Sequence, residues 1–390
     1  LLYYGVLPFC IWWLAGGAIE FLEVSLMAVV AAAMMGAGYL LPPVARGRFR
    51  RLFVPANLFH VVTWSGFVLF FLYSFATADA IPLVSVFRGA DAVELSQQRG
   101  DLFKMRTGGE VVLLYLSALF IRALLPLSLV KLFVERSHWR YCLAGLFFVF
   151  TVMSLHKAMF INVLFPLFYY FTCHSSKPRR AILAITSSVL ALLFLLTVLA
   201  SGRQVSFDGH RVDDSWSDFF SAQYVSLSAA ELLIWRAAAV PVFTATDSLV
   251  VFKQEFGGKP LMGATSTVLA AATRQERVLF EKMVFAHQWG WNDIANSNAV
   301  FFIEGFVNFG WLGVGGFSFV VGRILRWMRT SPEPAIHALW PVFCFGLFSG
   351  GLIGMLLSNG YLIIALAALW VTFDRPDRTS SSPEPEASSI

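Results

Sequence analysis

The chain has 390 residues, of which 57% are hydrophobic and 14% charged, and its mean hydropathy is +0.69. A soluble domain carries about 25% charged residues, so this composition excludes an ordinary soluble enzyme and indicates a membrane protein. The net charge of +5, from 29 Lys and Arg against 24 Asp and Glu, gives no reason to expect nucleic acid as a partner.

About ten apolar runs, separated by polar breaks, suggest helices that cross a membrane. A crossing helix needs about 20 residues, because each residue adds 1.5 Å and the hydrocarbon layer is about 30 Å thick. We therefore predict an all-α fold: a polytopic membrane protein with about ten transmembrane helices and a large periplasmic loop. The predicted spans lie near residues 1–17, 24–41, 52–76, 110–133, 139–155, 158–172, 181–200, 299–321, 337–356 and 360–373.

Short basic loops predict the orientation of these spans. They are RGRFRR at 46–51, the turn at 131–140, KPRR at 177–180 and RILRWMR at 323–329. Because Lys and Arg are concentrated in cytoplasmic loops, we place these four segments and both termini on the cytoplasmic side of a bacterial inner membrane. The tail at 374–390, rich in Ser, Pro and Glu, is predicted to be disordered.

Two longer segments fall on the opposite, periplasmic side. The first, residues 77–109, interrupts a set of N-terminal transmembrane helices that extends over residues 1–200. The second, residues 201–298, precedes the C-terminal transmembrane helices at 299–373. Loops this long are uncommon without a role, so we expect the function to involve the second segment.

Residues 229–252 inside the large loop are apolar enough to form a span, but counting them as one would reverse the predicted side of RILRWMR. We therefore favour helices that pack on, or dip into, the outer membrane face. Pro241 lacks a backbone N–H and should break the helix. A full crossing at 229–252 stays the alternative.

Two basic residues lie where a membrane should exclude charge. Arg122 is central in LYLSALFIRALLPLSLV, and an arginine at the centre of a span costs at least about 2.5 kcal/mol on insertion scales. Lys157 follows His156 and interrupts the apolar run at 141–173, so two short helices should meet there at the outer surface. Each residue has a functional interpretation, contact with an anion, and a structural one: an internal ion pair for Arg122 and a capped turn for Lys157.

A third basic residue, Arg236, lies in the apolar stretch ELLIWRAAAVPVFTATD of the large loop. An arginine in such a helix requires an anionic partner. The partner is either a ligand or, in the structural alternative, Asp247 or Glu231.

Basic residues that converge from separate helices, without a DxD motif to hold a metal, suit a lipid-anchored diphosphate. Guanidinium groups bind phosphate oxygens in pairs and stabilise the charge on a departing diphosphate. Arg203 and Arg211 of the large loop are further candidates for this site. We predict no metal ion and no cofactor.

A sugar hydroxyl that attacks an anomeric carbon needs a general base. The candidates are His287 and Asp293 near the end of the large loop and Glu304 at the start of the next span. The sequence alone leaves the choice among these three open.

The stretch WRAAAVPVFTATD, followed after a polar segment by WNDIANSNAVFFIEGFVNFGWLGVGG, resembles the bacterial O-antigen and oligosaccharide repeat-unit polymerases of the Wzy type. The resemblance covers the span pattern and about a hundred residues from 229 to 322. It implies a metal-independent membrane glycosyltransferase of the broad GT-C type. Such an enzyme transfers a growing glycan from undecaprenyl diphosphate to the terminal sugar of a lipid-linked repeat unit, on the periplasmic face.

The resemblance also implies roles for particular residues and partners. Arg236 matches the arginine before the loop proline, and Asn298 and Glu304 lie in the segment that leads into the Gly-rich span, where Asn298 is expected to contact glycan. The implied partners are an undecaprenyl-diphosphate-linked oligosaccharide and membrane lipid, with a chain-length regulator protein as a further partner to consider.

Three other functions stay open. An O-antigen ligase is expected to carry a histidine before the last segment, and the nearest here is His287. A GT-C enzyme that uses polyprenyl phosphate sugars commonly has acidic residues in its first external loop, where this chain has Glu20 and Glu23. A lipid-linked glycan transporter should show internal inverted repeats, and none is evident in the sequence.

Overall fold

The computed structural model describes residues 1–42, 52–90, 92–103, 106, 108–174, 179–180, 183, 186–187, 218–226, 228–290, 296–298 and 300–373. Over these residues the chain is mainly helical with almost no strand, so the all-α prediction is confirmed. The strands found there, β1 (Leu52–Phe53) and β2 (Val371–Thr372), form one short parallel pair.

The helices of the first half follow the predicted apolar runs, except for α4 and α5, which lie in the segment predicted as a loop at 77–109. Their bounds are α1 (Leu2–Ala15), α2 (Ile19–Leu40), α3 (Ala56–Ala76), α4 (Pro82–Phe87), α5 (Ala92–Phe103), α6 (Val112–Leu119), α7 (Leu125–Val134), α8 (Arg140–Ser154) and α9 (Lys157–His174). A π-helical turn at Phe120–Leu124 joins α6 to α7, so that Gly108–Val134 forms one continuous helix. The span predicted at 181–200 lies largely outside the described residues.

The helices of the second half are shorter, apart from one. Their bounds are α10 (Ala229–Ala238), α11 (Val240–Phe256), α12 (Thr267–Thr273), α13 (Phe280–Trp289), α14 (Phe301–Thr330), α15 (Pro334–His337), α16 (Trp340–Ser349) and α17 (Tyr361–Trp370). Ala239 separates α10 from α11, and Pro241 lies in the first turn of α11, where its missing N–H is not needed. The run predicted at 337–356 is divided, because α16 ends before Gly350 and a π-helical turn follows at Gly354–Ser358.

Within the described ranges, four helices are long and apolar enough to cross a membrane: Ile19–Leu40, Ala56–Ala76, Gly108–Val134 and Phe301–Thr330. Other apolar helices, such as α8 and α9, reach at most 18 residues, or about 27 Å at 1.5 Å per residue. The described helices support a membrane protein, whereas the prediction of ten crossings is not confirmed.

The longest helix, α14, contains a turn that the sequence analysis did not predict. Phe309 and Gly310 have non-helical backbone angles, and Gly310 has a φ of 62° that favours glycine. Gly305 and Gly313 would be about 12 Å apart in a straight helix. Here a Cβ added to Gly313 would collide with the carbonyl oxygen of Gly305, so the two parts of α14 fold back on each other.

The second part of α14 packs along α2, and the C-terminal turns of both helices lie at the same end of the bundle. Arg323 donates from Nη1 to the carbonyl oxygen of Leu41 at 2.8 Å and from Nη2 to that of Pro42 at 3.1 Å. Arg329 donates to the hydroxyl of Tyr39. We call this end, which carries Arg323, Arg326 and Arg329, the basic end.

A buried ion cluster stabilises the basic end. The ammonium of Lys131 lies 3.0 Å from Glu135 Oε1 and 3.1 Å from Glu333 Oε2, and only 3% of Lys131 is exposed. The Glu135 carboxylate also lies 3.4 Å from Nε2 of His60. These contacts connect α3, α7 and the segment after α14.

α11 packs alongside α1. The hydroxyl of Tyr3, in the first turn of α1, donates to the carbonyl oxygen of Ala238, just before α11. Near the other end of α11, Lys253 lies 2.9 Å from Glu20 and 2.8 Å from Glu23 of α2. α11 therefore extends over the whole length of α1.

The segment predicted as the first periplasmic loop, 77–109, is anchored in the core. Phe103 of α5 is 2% exposed and stacks on Phe70 of α3, with ring centroids 5.5 Å apart. The ring of His156, between α8 and α9, lies 5.7 Å from Phe103. The predicted meeting of two short helices at 155–157 is thus present, and it lies beside this segment.

Candidate functional site

A narrow polar cleft lies where α11, α13 and the first part of α14 meet. Its cavity volume is about 20 Å³, which is room for roughly one water molecule. Two carboxyl groups, one amide and three hydroxyl groups line the cleft together with apolar side chains. The polar lining residues are Ser248, Thr265, Glu281, Ser297, Asn298 and Glu304.

Glu304 connects the cleft to the broken segment after α16. Its Oε2 accepts the N–H of Ile353 at 3.4 Å, and its carboxyl group fills the space that a Cβ on Gly351 would occupy. A helical turn begins at Leu352, and a carboxylate at a helix N-terminus is favourable because the first N–H groups lack helical partners. Glu304 therefore holds this turn in place as well as lining the cleft.

Glu281 of α13 is the second carboxyl group of the cleft, and the sequence analysis missed it. It is half-buried and interacts electrostatically with Glu304. Burial raises the pKa of Glu281 above its ordinary value, against the opposing effect of Arg277. The available signal was that Glu281 is the one acidic residue in the helix FEKMVFAHQW.

Gln288 of α13 holds together two of the segments that line the cleft. Its amide donates to Asp247 Oδ2 at 2.8 Å and to the hydroxyl of Thr244 at 3.3 Å, both on α11. Its amide oxygen accepts the hydroxyl of Ser297 at 2.7 Å. This network holds α13 against α11 and positions Ser297 beside Asn298, which is exposed and lines the cleft.

Asn308, immediately before the turn in α14, connects the segment with Thr265 to the part of α14 that lines the cleft. It is 0% exposed, and its Oδ1 accepts the N–H of Gly263 at 3.1 Å. Its Nδ2 donates to the hydroxyl of Thr265 at 2.8 Å and to the carbonyl oxygen of Glu304 at 2.9 Å. One side chain thus joins the segment before α12 to the helix that carries Glu304.

Arg122 lies in the π-helical turn at Phe120–Leu124. Its Nη1 is 3.9 Å from the sulfur of Met355, and the guanidinium interacts electrostatically with Tyr361. No carboxylate among the described residues forms an ion pair with Arg122. Arg122 and Glu304 therefore contact the same short segment, 351–355, through different residues.

Arg236 is exposed on α10, and the described contacts do not include the ion pair of the predicted structural alternative. Neither Asp247 nor Glu231 forms an ion pair with it: Asp247 accepts from Gln288, and Glu231 accepts the hydroxyl of Tyr224. The neighbouring Trp235 packs against Trp289 at the C-terminal end of α13, with ring centroids 6.5 Å apart.

The remaining predicted site residues divide into three groups. His287 is exposed on α13 and interacts electrostatically with Asp247. Lys157 begins α9 beside the 77–109 segment, and only its backbone is described. Arg203, Arg211 and Asp293 lie outside the described residues.

The structure thus brings Glu304, Asn298 and the unpredicted Glu281 together in one cleft, and it places Arg122 next to the segment that Glu304 holds. It shows no contact among Arg122, Arg236 and the described backbone of Lys157. Over the described ranges, no group of three or more His, Cys, Asp or Glu side chains could hold a metal ion. Comparison with protein-family profiles, curated proteins and solved structures finds no match for this chain.

Proposed function

We propose that this chain is a membrane glycosyltransferase that polymerises lipid-linked oligosaccharide repeat units. The observation that carries the proposal is the cleft, in which the carboxyl groups of Glu281 and Glu304 lie beside Asn298. The segments that build it belong to the same stretch, 229–322, that carries the resemblance to repeat-unit polymerases. The four helices of the described chain that are long and apolar enough to cross a membrane support a membrane location.

In the proposed reaction, a hydroxyl of the terminal sugar on one lipid-linked repeat unit attacks the anomeric carbon of a second, growing glycan. The new glycosidic C–O bond forms as the bond between that carbon and undecaprenyl diphosphate breaks. The carboxylate of either Glu281 or Glu304 takes the one hydroxyl proton, and the diphosphate leaves with the electron pair of the broken bond. A carboxyl group with a raised pKa, as burial produces at Glu281, suits this transfer.

Basic residues carry the charge of the departing diphosphate in this proposal. Arg122 lacks an ion-pair partner among the described carboxylates and lies next to the segment that Glu304 holds. Arg236 is exposed, and the described contacts include no ion pair between it and Asp247 or Glu231. Its guanidinium is therefore available to an anionic ligand. No divalent metal is required, because guanidinium groups supply the neutralising charge.

The cleft must widen to accept a sugar, since its volume is near that of one water. The glycan site also includes Asn298, which is exposed at the cleft. We place this site on the periplasmic face of a bacterial inner membrane and the basic end on the cytoplasmic face.

One observation weakens the alternative of a GT-C enzyme with catalytic acids in its first external loop. Glu20 and Glu23, the acids in that position, are both bound to Lys253. Their role in the described contacts is to attach α11 to α2, which favours the polymerase proposal.

The test is the pattern of lipid-linked glycan in cells that express or lack this chain. A polymerase predicts a ladder of repeat lengths with the chain and a single repeat without it. A ladder that persists without the chain, but is no longer transferred to its final acceptor, would instead indicate a ligase. Loss of even the single repeat from the outer membrane face would indicate a transporter.

A further inference from the structure

A second cavity lies at the basic end, and the proposed reaction does not use it. Its volume is about 410 Å³, within the range of about 300–1,000 Å³ that is usual for small-ligand sites. Residues from α2, α9, α14, α15 and α16 line it: Tyr39, Tyr169, Leu325, Arg329, His337 and Trp340.

The cavity is positively charged. Arg329 lines it, and the guanidinium carbons of Arg326 and Arg329 lie 5.6 and 5.8 Å from the ring centre of Tyr39. The Nε of Arg326 is buried without a hydrogen-bond partner among the described residues. None of the six lining residues is acidic.

The described carboxylates of the ion cluster at this end are already bound to Lys131. Glu333 and Glu135 both pair with Lys131, and Glu333 is 6% exposed. They therefore do not neutralise Arg329 in the described contacts. Among the described residues, the charge of Arg329 is therefore left for a ligand.

The aromatic residues indicate the depth at which the ligand would lie. Tyr169 and Trp340 meet edge to face with ring centroids 5.6 Å apart, and Trp340 is 41% exposed. Tyr and Trp are enriched where membrane lipid meets water, because one part of the ring system is apolar and the other forms hydrogen bonds. The cavity therefore contains an arginine that can bind phosphate and, beside it, aromatic rings of the kind found where lipid meets water.

We propose that this cavity binds the phosphate headgroup of an anionic phospholipid. The guanidinium of Arg329 contacts the phosphate, and the Tyr169 and Trp340 rings contact the glycerol and the upper acyl chains. This inference does not depend on the polymerase reaction, which is assigned to the cleft near Glu304.

The test measures thermal unfolding of the purified full chain in detergent, with increasing amounts of one of three additives. These are short-chain phosphatidylglycerol, phosphatidylcholine with the same acyl chains, and inorganic phosphate. We expect phosphatidylglycerol alone to raise the melting temperature by several degrees, because a ligand that binds only the folded state stabilises it. An equal effect of phosphatidylcholine, or of inorganic phosphate, would overturn the proposal.

Variants locate the site. Arg329→Gln should weaken the apparent affinity for phosphatidylglycerol about tenfold, the usual effect of losing one hydrogen bond to a charged group. Arg140→Gln is the matched control, since Arg140 stacks on Tyr141 outside the cavity, and it should bind as wild type does. If Arg329→Gln does not fold, Trp340→Leu provides the second measurement and should also weaken binding. Wild-type affinity in either folded cavity variant would contradict the proposal.

Discussion

Asn308 should be among the most sensitive positions for stability, because one side chain connects three parts of the cleft. Asn308→Ala removes the acceptor for the N–H of Gly263 and the donor for the carbonyl oxygen of Glu304. The site is fully buried, so water does not replace these bonds. An orphaned buried group costs about 1–3 kcal/mol, and two such groups predict a loss of about 2–6 kcal/mol.

The assay is unfolding of the purified variant in detergent, by heat and by denaturant. Asn57→Ala is the matched control, since Asn57 is exposed in the first turn of α3 and its truncation should change stability by less than about 0.5 kcal/mol. If Asn308→Ala unfolds with the same midpoint as Asn57→Ala, the network around the cleft is not as described, and the position of Glu304 loses its main support.

Four further predictions follow from the charges and the proposed orientation. Arg236→Ala should abolish the product ladder and Arg236→Lys should impair it, while both keep the wild-type melting temperature, because Arg236 is exposed; a shared loss of melting temperature would show a structural role. Glu281→Gln should stabilise the protein near neutral pH but not below about pH 4. The folded pKa of Glu281 is raised above 4.5, so the protonated carboxyl stabilises the fold at low pH and this contribution is lost as the pH rises above 4.5. A melting temperature with the same pH dependence in wild type and variant would refute this prediction. In a background without the native cysteines, a cysteine at position 282 should react with an impermeant reagent from the periplasm and one at position 179 should not; the reverse pattern would invert the orientation. Polymerisation by the purified chain should survive EDTA, and a loss of activity that magnesium restores would show that a metal takes part.

The sequence predicts most of the helices because apolar runs and their polar breaks are local signals. The meeting of α8 and α9 near Lys157, and the break before Pro241, both follow from residues at the break itself. The clustering of Arg323 and Arg329 at the C-terminal end of α2 agrees with a basic loop following that helix at 46–51.

The turn in α14 is different, because its cause lies elsewhere in the chain. Glycines are common in membrane helices, so Gly310 alone does not predict a reversal. The reversal is held by Asn308, whose partners Gly263 and Thr265 are more than 40 positions away in the sequence. For the same reason the sequence indicated a site at Glu304 but not its neighbour Glu281, which approaches it only once α13 packs against α14.

The central claim is tested most directly by giving the purified, membrane-reconstituted chain one substrate, an undecaprenyl-diphosphate-linked single repeat unit, and measuring the lengths of the glycans that form. The account predicts a ladder of multiple repeats with release of undecaprenyl diphosphate, and it predicts only the single repeat when Glu281 and Glu304 are both replaced by Gln in a protein that still folds. A wild-type chain that leaves the single repeat unchanged, or a double variant that still makes the full ladder, would contradict it.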